Sequence, residues 1–368
     1  QEMNIAFYID EMNFRGVANS TYQYSFYNQK ILKNKSIIFY NQKNKDNQKE
    51  VINKFKKKFK LIAVDNFQEI DNYKNKFKLD YLYVMKGGEK DTWVSQKIKT
   101  LIHSVYPQKL NQIHGYKYVY ISEWLSNRFS NKKVPYVPLI IQTEKISKNL
   151  KKKLKIGKKQ IVFGCHGGSS SFDLKFVKNT IIEIVKKKKD ITFLFLNINK
   201  FCSHPRIIFL KGTSNENYKK KFINSCDAMI YGRSLGESFG IACGEFSLQG
   251  KKILSYKFNR HKSHIYNISN GNYSEYGSRK KLFALLSNFK KINYRKKNKY
   301  FFYNPKYVMK RFENIFLKNH PIIRISVFDL FLNYLNFAFT HYQYLRHKLY
   351  NHYYNYFESK FLLTNKVN

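Results

Sequence analysis

Glu237 and Glu245 stand eight positions apart in the stretch Gly232-Arg-Ser-Leu-Gly-Glu-Ser-Phe-Gly-Ile-Ala-Cys-Gly-Glu-Phe-Ser-Leu-Gln-Gly250. An apolar run ending at Tyr231 precedes it and predicts a strand. A glycine-containing turn follows, and then a short helix that ends near Gly250. Such a turn suits phosphate, because unpaired amides and the positive end of the helix dipole both point into it. If most of the interval is helical, the two carboxylates lie about 12 Å apart at 1.5 Å per residue. That is close to the span from a nucleotide's ribose to a sugar on its far phosphate, so one carboxylate could hold ribose hydroxyls while the other holds the sugar. Taken singly, Glu237 is an ordinary first-turn carboxylate favoured by the dipole and Glu245 an exposed helix residue. Their pairing among Gly236, Gly240 and Gly244, after a strand, favours a ligand.

Three further segments have related character. Phe163-Gly-Cys-His-Gly-Gly-Ser-Ser-Ser-Phe-Asp173 follows a predicted strand and places His166 and Gly167 in a second glycine loop. Ile223-Asn-Ser-Cys-Asp-Ala-Met-Ile230 leads into the Glu237 stretch. Near the start, Arg15-Gly-Val-Ala-Asn-Ser-Thr-Tyr-Gln-Tyr24 puts Gly16 in a loop after the first apolar run. Together these segments resemble retaining glycosyltransferases of family 4, whose donor motif carries two glutamates eight positions apart in a glycine-rich strand, loop and helix. The resemblance touches most of residues 3 to 318, weakly in the first half and well between 160 and 250.

That resemblance implies the α/β GT-B fold, two facing Rossmann-like domains, and transfer of a sugar from a nucleotide diphosphate donor to a hydroxyl with retention at the anomeric carbon. Glu245 would bind the ribose and Glu237 the transferred sugar, as the catalytic carboxylate. Arg233 and the amides of Ser238 and Phe239 are candidates for the diphosphate, with His166, Gly167 and Gly16 in the loops around the donor. No metal and no cofactor beyond the donor substrate are implied, and fixed cations and amides would neutralise the leaving group. One departure stands out: many relatives carry a basic residue just after the first glycine of the first donor loop, where this chain has Cys165 followed by His166. Either His166 or Arg233 would then take over the phosphate contact, or activity would be reduced. Partners would be the nucleotide-sugar donor and a glycan, lipid-linked or protein acceptor. The alternatives are a non-catalytic relative of the same fold, a GT-B epimerase or phosphorylase, and a basic protein binding nucleic acid or a membrane surface.

In the first half, His103 and His114 flank the end of a predicted strand near Tyr106 and Gly115, and His103 is the candidate acceptor-side catalytic residue. A lone histidine is more often a structural hydrogen-bonder. Glu89 and Asp91, after Gly87 and Gly88, are weaker candidates. The four cysteines, Cys165, Cys202, Cys226 and Cys243, have neither disulfide-framework nor zinc-ligand spacing, which fits a reducing cytoplasm. The first apolar stretch is of strand length and reads as no secretory leader.

Elements must hold these residues in place, and their pattern is readable. A chain of 368 residues with 43% hydrophobic and 17% aromatic residues can bury two cores. Short apolar runs alternate with helix-compatible stretches, which predicts parallel sheets in two doubly wound domains. The first, residues 1–141, would hold strands Asn4–Ile9, Ser36–Tyr40, Lys60–Val64, Tyr81–Met85, Leu101–Val105 and Tyr116–Ile121. A lysine-rich interdomain crossing with some helix would span 142–159. The donor domain, 160–318, would hold Gln160–Phe163, Thr192–Leu196, Ile207–Leu210, Ala228–Tyr231 and Lys252–Ser255.

The tail, 319–368, carries Phe328, Phe331, Leu332, Leu335, Phe339 and Tyr342 at helical spacing, so one helix face is apolar. Asp329, Asn333 and Asn336 interrupt that run and argue against a membrane span. The plainer expectation is a helix packed on the body of the protein. The other is an interfacial helix, with Arg346, Lys348 and the tyrosine-rich end at the headgroups, which would make the protein peripheral on a membrane surface. Lys and Arg number 68 against 24 Asp and Glu. This excess is scattered lysine among abundant Asn, Ile, Tyr and Phe, as AT-rich coding bias would produce; the alternative is a functional field that steers an anionic nucleotide donor or holds the protein on a membrane surface, and no nucleic-acid-binding motif accompanies it.

Overall fold

In a computed structural model of the chain, residues 2–142, 147–269, 272–291, 297–318 and 323–364 are described, with backbone alone at 351 and 354–364. Six strands, β1 (Asn4–Ile9), β2 (Lys35–Asn41), β3 (Lys60–Val64), β4 (Tyr81–Lys86), β5 (Lys99–Ser104) and β6 (Lys117–Tyr120), form a sheet in the order β3-β2-β1-β4-β5-β6. Every pairing is parallel. Parallel sheets are covered on both faces, so their strands read as continuous apolar runs. Ile5, Ala6, Phe7, Leu82, Tyr83, Leu101 and Ile102 are accordingly fully buried. The helices are α1 (Gly16–Lys30), α2 (Lys49–Lys56), α3 (Lys74–Phe77) and α4 (Glu123–Ser130). Ser122 caps α4 by accepting from the Leu125 amide, and Asn131 ends it in the left-handed region.

The second sheet contains β7 (Ile161–His166), β8 (Ile191–Leu196), β9 (Ile207–Leu210), β10 (Ala228–Tyr231), β12 (Lys252–Tyr256) and β14 (Tyr273–Tyr276), in the order β14-β12-β10-β7-β8-β9. A separate pair joins β11 (Gly236–Glu237) to β13 (His261–Lys262). Helices α5 (Lys175–Lys187), α6 (Glu216–Ser225), α7 (Ile241–Leu248), α8 (Ser263–Ile268) and α9 (Arg279–Ser287) complete this unit. Counted from its own first strand, the second sheet repeats the order of the first. Chain order therefore reverses beside β1, at β4, and beside β7, at β10. Those are the points where open α/β sheets bind ligands, at the carboxyl ends of the strands.

Asn4–Ile9, Lys60–Val64, Ile207–Leu210 and Ala228–Tyr231 match the expected strands, and the others shift by one to three residues at an end. The edge strand β14 and the β11–β13 pair were not expected. Of the predicted crossing, 143–146 lie outside the described residues, and 147–159 form turns rather than helix. Asn304 and Pro305 start α10 (Pro305–Phe312), where the Asn304 side chain accepts from the Tyr307 amide. This helix returns to the first domain. Arg311 Nε donates to the Tyr136 carbonyl at 2.6 Å, and Phe312 and Phe316 pack on Tyr83. The last residues of the span 160–318 thus complete the first core.

The tail is one helix, α11 (Val327–Thr364), and it packs on the body as the plainer expectation had it. It lies against the body through its polar side. Asn333 Nδ2 donates to the Phe129 carbonyl at 2.6 Å, and its Oδ1 accepts from the Leu110 amide at 3.2 Å. Phe337 packs on Phe129. Asp329, Asn333 and Thr340 are buried, whereas Phe328, Phe331, Leu335, Phe339 and Tyr342 face solvent. Hydrogen-bonding groups on the body turn the apolar stripe outward. Among the described residues, no helix is long and apolar enough to cross a membrane.

Candidate functional site

β10 ends at Tyr231 and the chain turns through Gly232 to Leu235 before β11. Gly236 has φ +74°, and a Cβ there would collide with the His261 carbonyl oxygen across the β11–β13 pair. Gly240, at φ +89°, is the N-cap of α7, and a Cβ would lie 2.7 Å from that of His264. These two glycines let the chain fold back tightly enough to aim the α7 N-terminus into the turn. The buried residues Ser238 and Phe239 form the bend.

Glu237 lies on β11, not in the first turn of a helix. Its Oε1 accepts from the Tyr231 hydroxyl at 2.9 Å and from Arg233 Nη1 at 3.1 Å. Burial alone would lower the Arg233 pKa, but the Glu237 charge outweighs it and holds the guanidinium firmly protonated. Glu245, on the second turn of α7, is 7% exposed. Its carboxylate is 2.7 Å from Lys219 Nζ, on α6, which also reaches Glu216 at 2.9 Å. His166 Nε2 sits 2.9 Å from the other oxygen, close but not directed as a hydrogen bond. Burial pushes the Glu245 carboxyl up, yet Lys219 and His166 overcome that and hold it below the usual carboxylate range. Lys219 shifts the opposite way, with burial outweighed by Glu245 and Glu216.

The glycine loop after β7 begins at His166, whose ring stacks on Phe246 of α7. The Gly167 carbonyl accepts from Asn197 Nδ2 at 2.8 Å. The Asp173 carboxylate accepts from both the amide and the hydroxyl of Ser234, each at 2.7 Å, which ties this loop to the one after β10. The first domain closes the far wall. Gly16 stands so near α7 that a Cβ would lie 3.5 Å from Ile241 Cδ1. Glu50 accepts from the Ser214 amide at 3.2 Å, and Lys54 approaches Glu216 at 3.9 Å, so the domains also touch at the rim.

Between these walls lies a cleft of about 840 Å³, lined by Gly16, His166, Gly167, Arg233, Glu237, Ser238, Phe239 and Glu245 together with first-domain residues. Every expected donor-side residue is in that lining. The charged lining is balanced: Arg15, Lys54, Lys86, Lys219 and Arg233 face Asp10, Glu11, Asp173, Glu216, Glu237 and Glu245. The lysine excess of the chain is therefore not gathered in the cleft.

His103 is a correction. It is fully buried in β5, outside the lining, with Nδ1 2.6 Å from the Tyr83 hydroxyl and Nε2 2.9 Å from the Val137 carbonyl. Burial lowers its pKa to about 3. It is a neutral core residue with both ring nitrogens engaged. His114, Glu89 and Asp91 also lie outside the lining, and Asp91 pairs with Lys86. Sequence reasoning missed Lys219, hidden in a run of three lysines, and two cleft residues. Asp10 accepts from Tyr8, Asn41 and Asn44. His261, nearly buried beside Tyr106 and Trp124, is held to about 3 by burial and then by Arg260 and Arg233.

No protein-family model and no curated protein sequence matches the chain. Solved structures do. A glycosyltransferase from Rickettsia africae ESF-5 aligns with a TM-score of 0.59 at 12% identity, covering 93% of this chain and 99% of that one. Anabaena HepE in complex with UDP-glucose aligns with a TM-score of 0.56 at 10% identity, covering 78% and 89%. A putative UDP-N-acetylglucosamine 2-epimerase from Listeria monocytogenes gives 0.55 at 11%, covering 89% and 100%. At such identities the likeness establishes the fold, which is GT-B.

Proposed function

We propose that the protein is a glycosyltransferase that takes a sugar from a nucleotide diphosphate donor and passes it to a hydroxyl. The observation that carries this reading is the placement of two carboxylates at the switch point of the second sheet. Glu245 is sunk against Lys219 beside the loop after β7, and Glu237 is held by Tyr231 and Arg233 on the same wall. In this reading the Glu245 carboxylate accepts from the ribose hydroxyls, and Glu237 orients the hydroxyls of the sugar. The diphosphate lies at the α7 N-terminus, against the Ser238 and Phe239 amides. Arg233 supplies the positive charge in place of the basic residue missing after Gly164, with His166 beside it in the loop after β7.

The resemblance of the Glu237–Glu245 motif implies retention, and Arg233 with the amides of the α7 N-terminus supports a metal-free departure. Charge develops on the leaving diphosphate as the bond to the sugar breaks, and preorganised cations and amides stabilise it without reorganising. Nucleotide-binding neighbours agree with the donor class: HepE was solved with UDP, with UDP and glucose, and with UDP-glucose. Because an epimerase shares the fold, the reaction needs its own test. Donor turnover with candidate acceptors in the presence of a chelator should proceed undiminished and yield a glycosylated product. Free sugar released without any acceptor would overturn transfer in favour of a hydrolytic epimerase. Loss of turnover with chelator and rescue by Mg²⁺ or Mn²⁺ would overturn the metal-free site.

A further inference from the structure

From Val327 to Leu349 the outward face of α11 is largely apolar, while Asp329, Asn333 and Thr340 are buried on its inward face, the reverse of an ordinary surface helix. Val327, Phe331, Tyr334, Tyr342, Leu345 and Leu349 are between 42 and 84% exposed. At about 100° per residue they fall on one stripe, which runs about 33 Å at 1.5 Å per residue. A continuous exposed stripe of that kind marks a surface that something covers.

We infer that this stripe docks on an anionic lipid surface, with the helix lying flat in the headgroup layer. Charge complementarity selects the occupant. Arg346 and Lys348 are exposed and, by helical geometry, sit about 80° to either side of the stripe's centre. Among the described side chains of α11 the sole acid is Asp329, which is buried and accepts from the Ser326 hydroxyl. A second copy of a chain carrying a formal charge of +44 would bring those flanking cations against their like. An anionic bilayer accepts the apolar stripe and both cations at once.

The helix also joins that surface to the cleft. It packs on α4, whose Trp124 packs on the cleft residue His261. Joined to the transferase reading, this makes a lipid-borne hydroxyl the acceptor class, although the docking itself does not depend on that reading.

The test uses the full chain and a variant combining Phe331→Ser, Leu345→Ser and Leu349→Ser, which removes exposed apolar groups and leaves every charge in place. In co-sedimentation with phosphatidylcholine vesicles containing phosphatidylglycerol, the parent should bind and the variant should bind about tenfold more weakly or worse. The variant should melt like the parent and keep the same thermal shift with uridine diphosphate, which shows an intact cleft whatever happens at the membrane. Arg346→Gln with Lys348→Gln should reduce the preference for anionic over neutral vesicles. Undiminished binding by the serine variant would show that the body's general charge does the binding, and would overturn the proposal. So would a parent that ignores vesicles but forms a dimer that the serine variant dissolves.

Discussion

Glu245 carries its charge into a nearly dry pocket, and Lys219 makes that possible. Removing one member of a buried pair leaves an uncompensated charge, so Lys219→Met should destabilise the protein by about 3–5 kcal/mol. The double variant Lys219→Met, Glu245→Gln should recover part of that loss. Urea unfolding of the parent, the single and the double variants checks both, and a strictly additive pair would show that the two groups do not depend on each other. Histidines give a second residue-scale test. His103, His261 and His264 are each held at about 3, first of all by burial. Between about pH 6.5 and 3 the unfolded chain binds protons that the folded one refuses. Their stabilising contribution is thus complete above about 6.5 and is lost as pH falls, by about 1.4 kcal/mol per unit for each histidine. Unfolding free energies at pH 6.5 and 5 should show that slope, and His103→Asn should flatten it by one histidine's share. The glutamate pair was legible because its spacing and glycines are local. His103 was not, since its surroundings include Phe316, brought in from far along the chain.

At the scale of elements, the turn from β10 to α7 is where backbone geometry shapes the cleft wall. Gly236→Ala asks an L-residue to adopt φ +74° while its Cβ meets the His261 carbonyl. The strain alone is about 1–2 kcal/mol, and relief requires β11 to leave β13 and carry Glu237 with it. Gly168→Ala, where a Cβ meets nothing within 4 Å, is the control. Differential scanning calorimetry should find a lowered melting temperature for the first and little change for the second. Equal behaviour would mean that the turn is not held as tightly as its geometry indicates. The strands were legible because those buried on both faces are written as unbroken apolar runs. β14 escaped because it is an edge strand written with Ser and Glu, in which only Tyr276 is buried. For α11 the helical period shows that one face is apolar, but not whether that face turns inward. The hydrogen bonds of Asn333 decide it.

For the whole molecule, the two sheets place their switch points opposite each other, and α10 crosses back to lock the second half onto the first. That crossing was not legible, because Phe312 and Phe316 read like donor-domain core until their partners Tyr24 and Tyr83 are known. The repeated strand order was legible in outline, since both halves alternate strand and helix. What it builds is one cleft with Glu245 and Glu237 in its wall, and the proposed division of labour, nucleotide at Glu245 and sugar at Glu237, is the central claim. Calorimetry with the bare nucleoside diphosphate on the parent, Glu245→Ala and Glu237→Ala tests it most directly. Charge-assisted hydrogen bonds are worth roughly 1.5–3 kcal/mol, so Glu245→Ala should weaken binding on the order of tenfold to a hundredfold. Glu237→Ala should bind the bare nucleotide like the parent while its turnover falls, because its contact is made only with the sugar. If both variants bind and turn over as the parent does, the cleft is not a donor site and the account is contradicted.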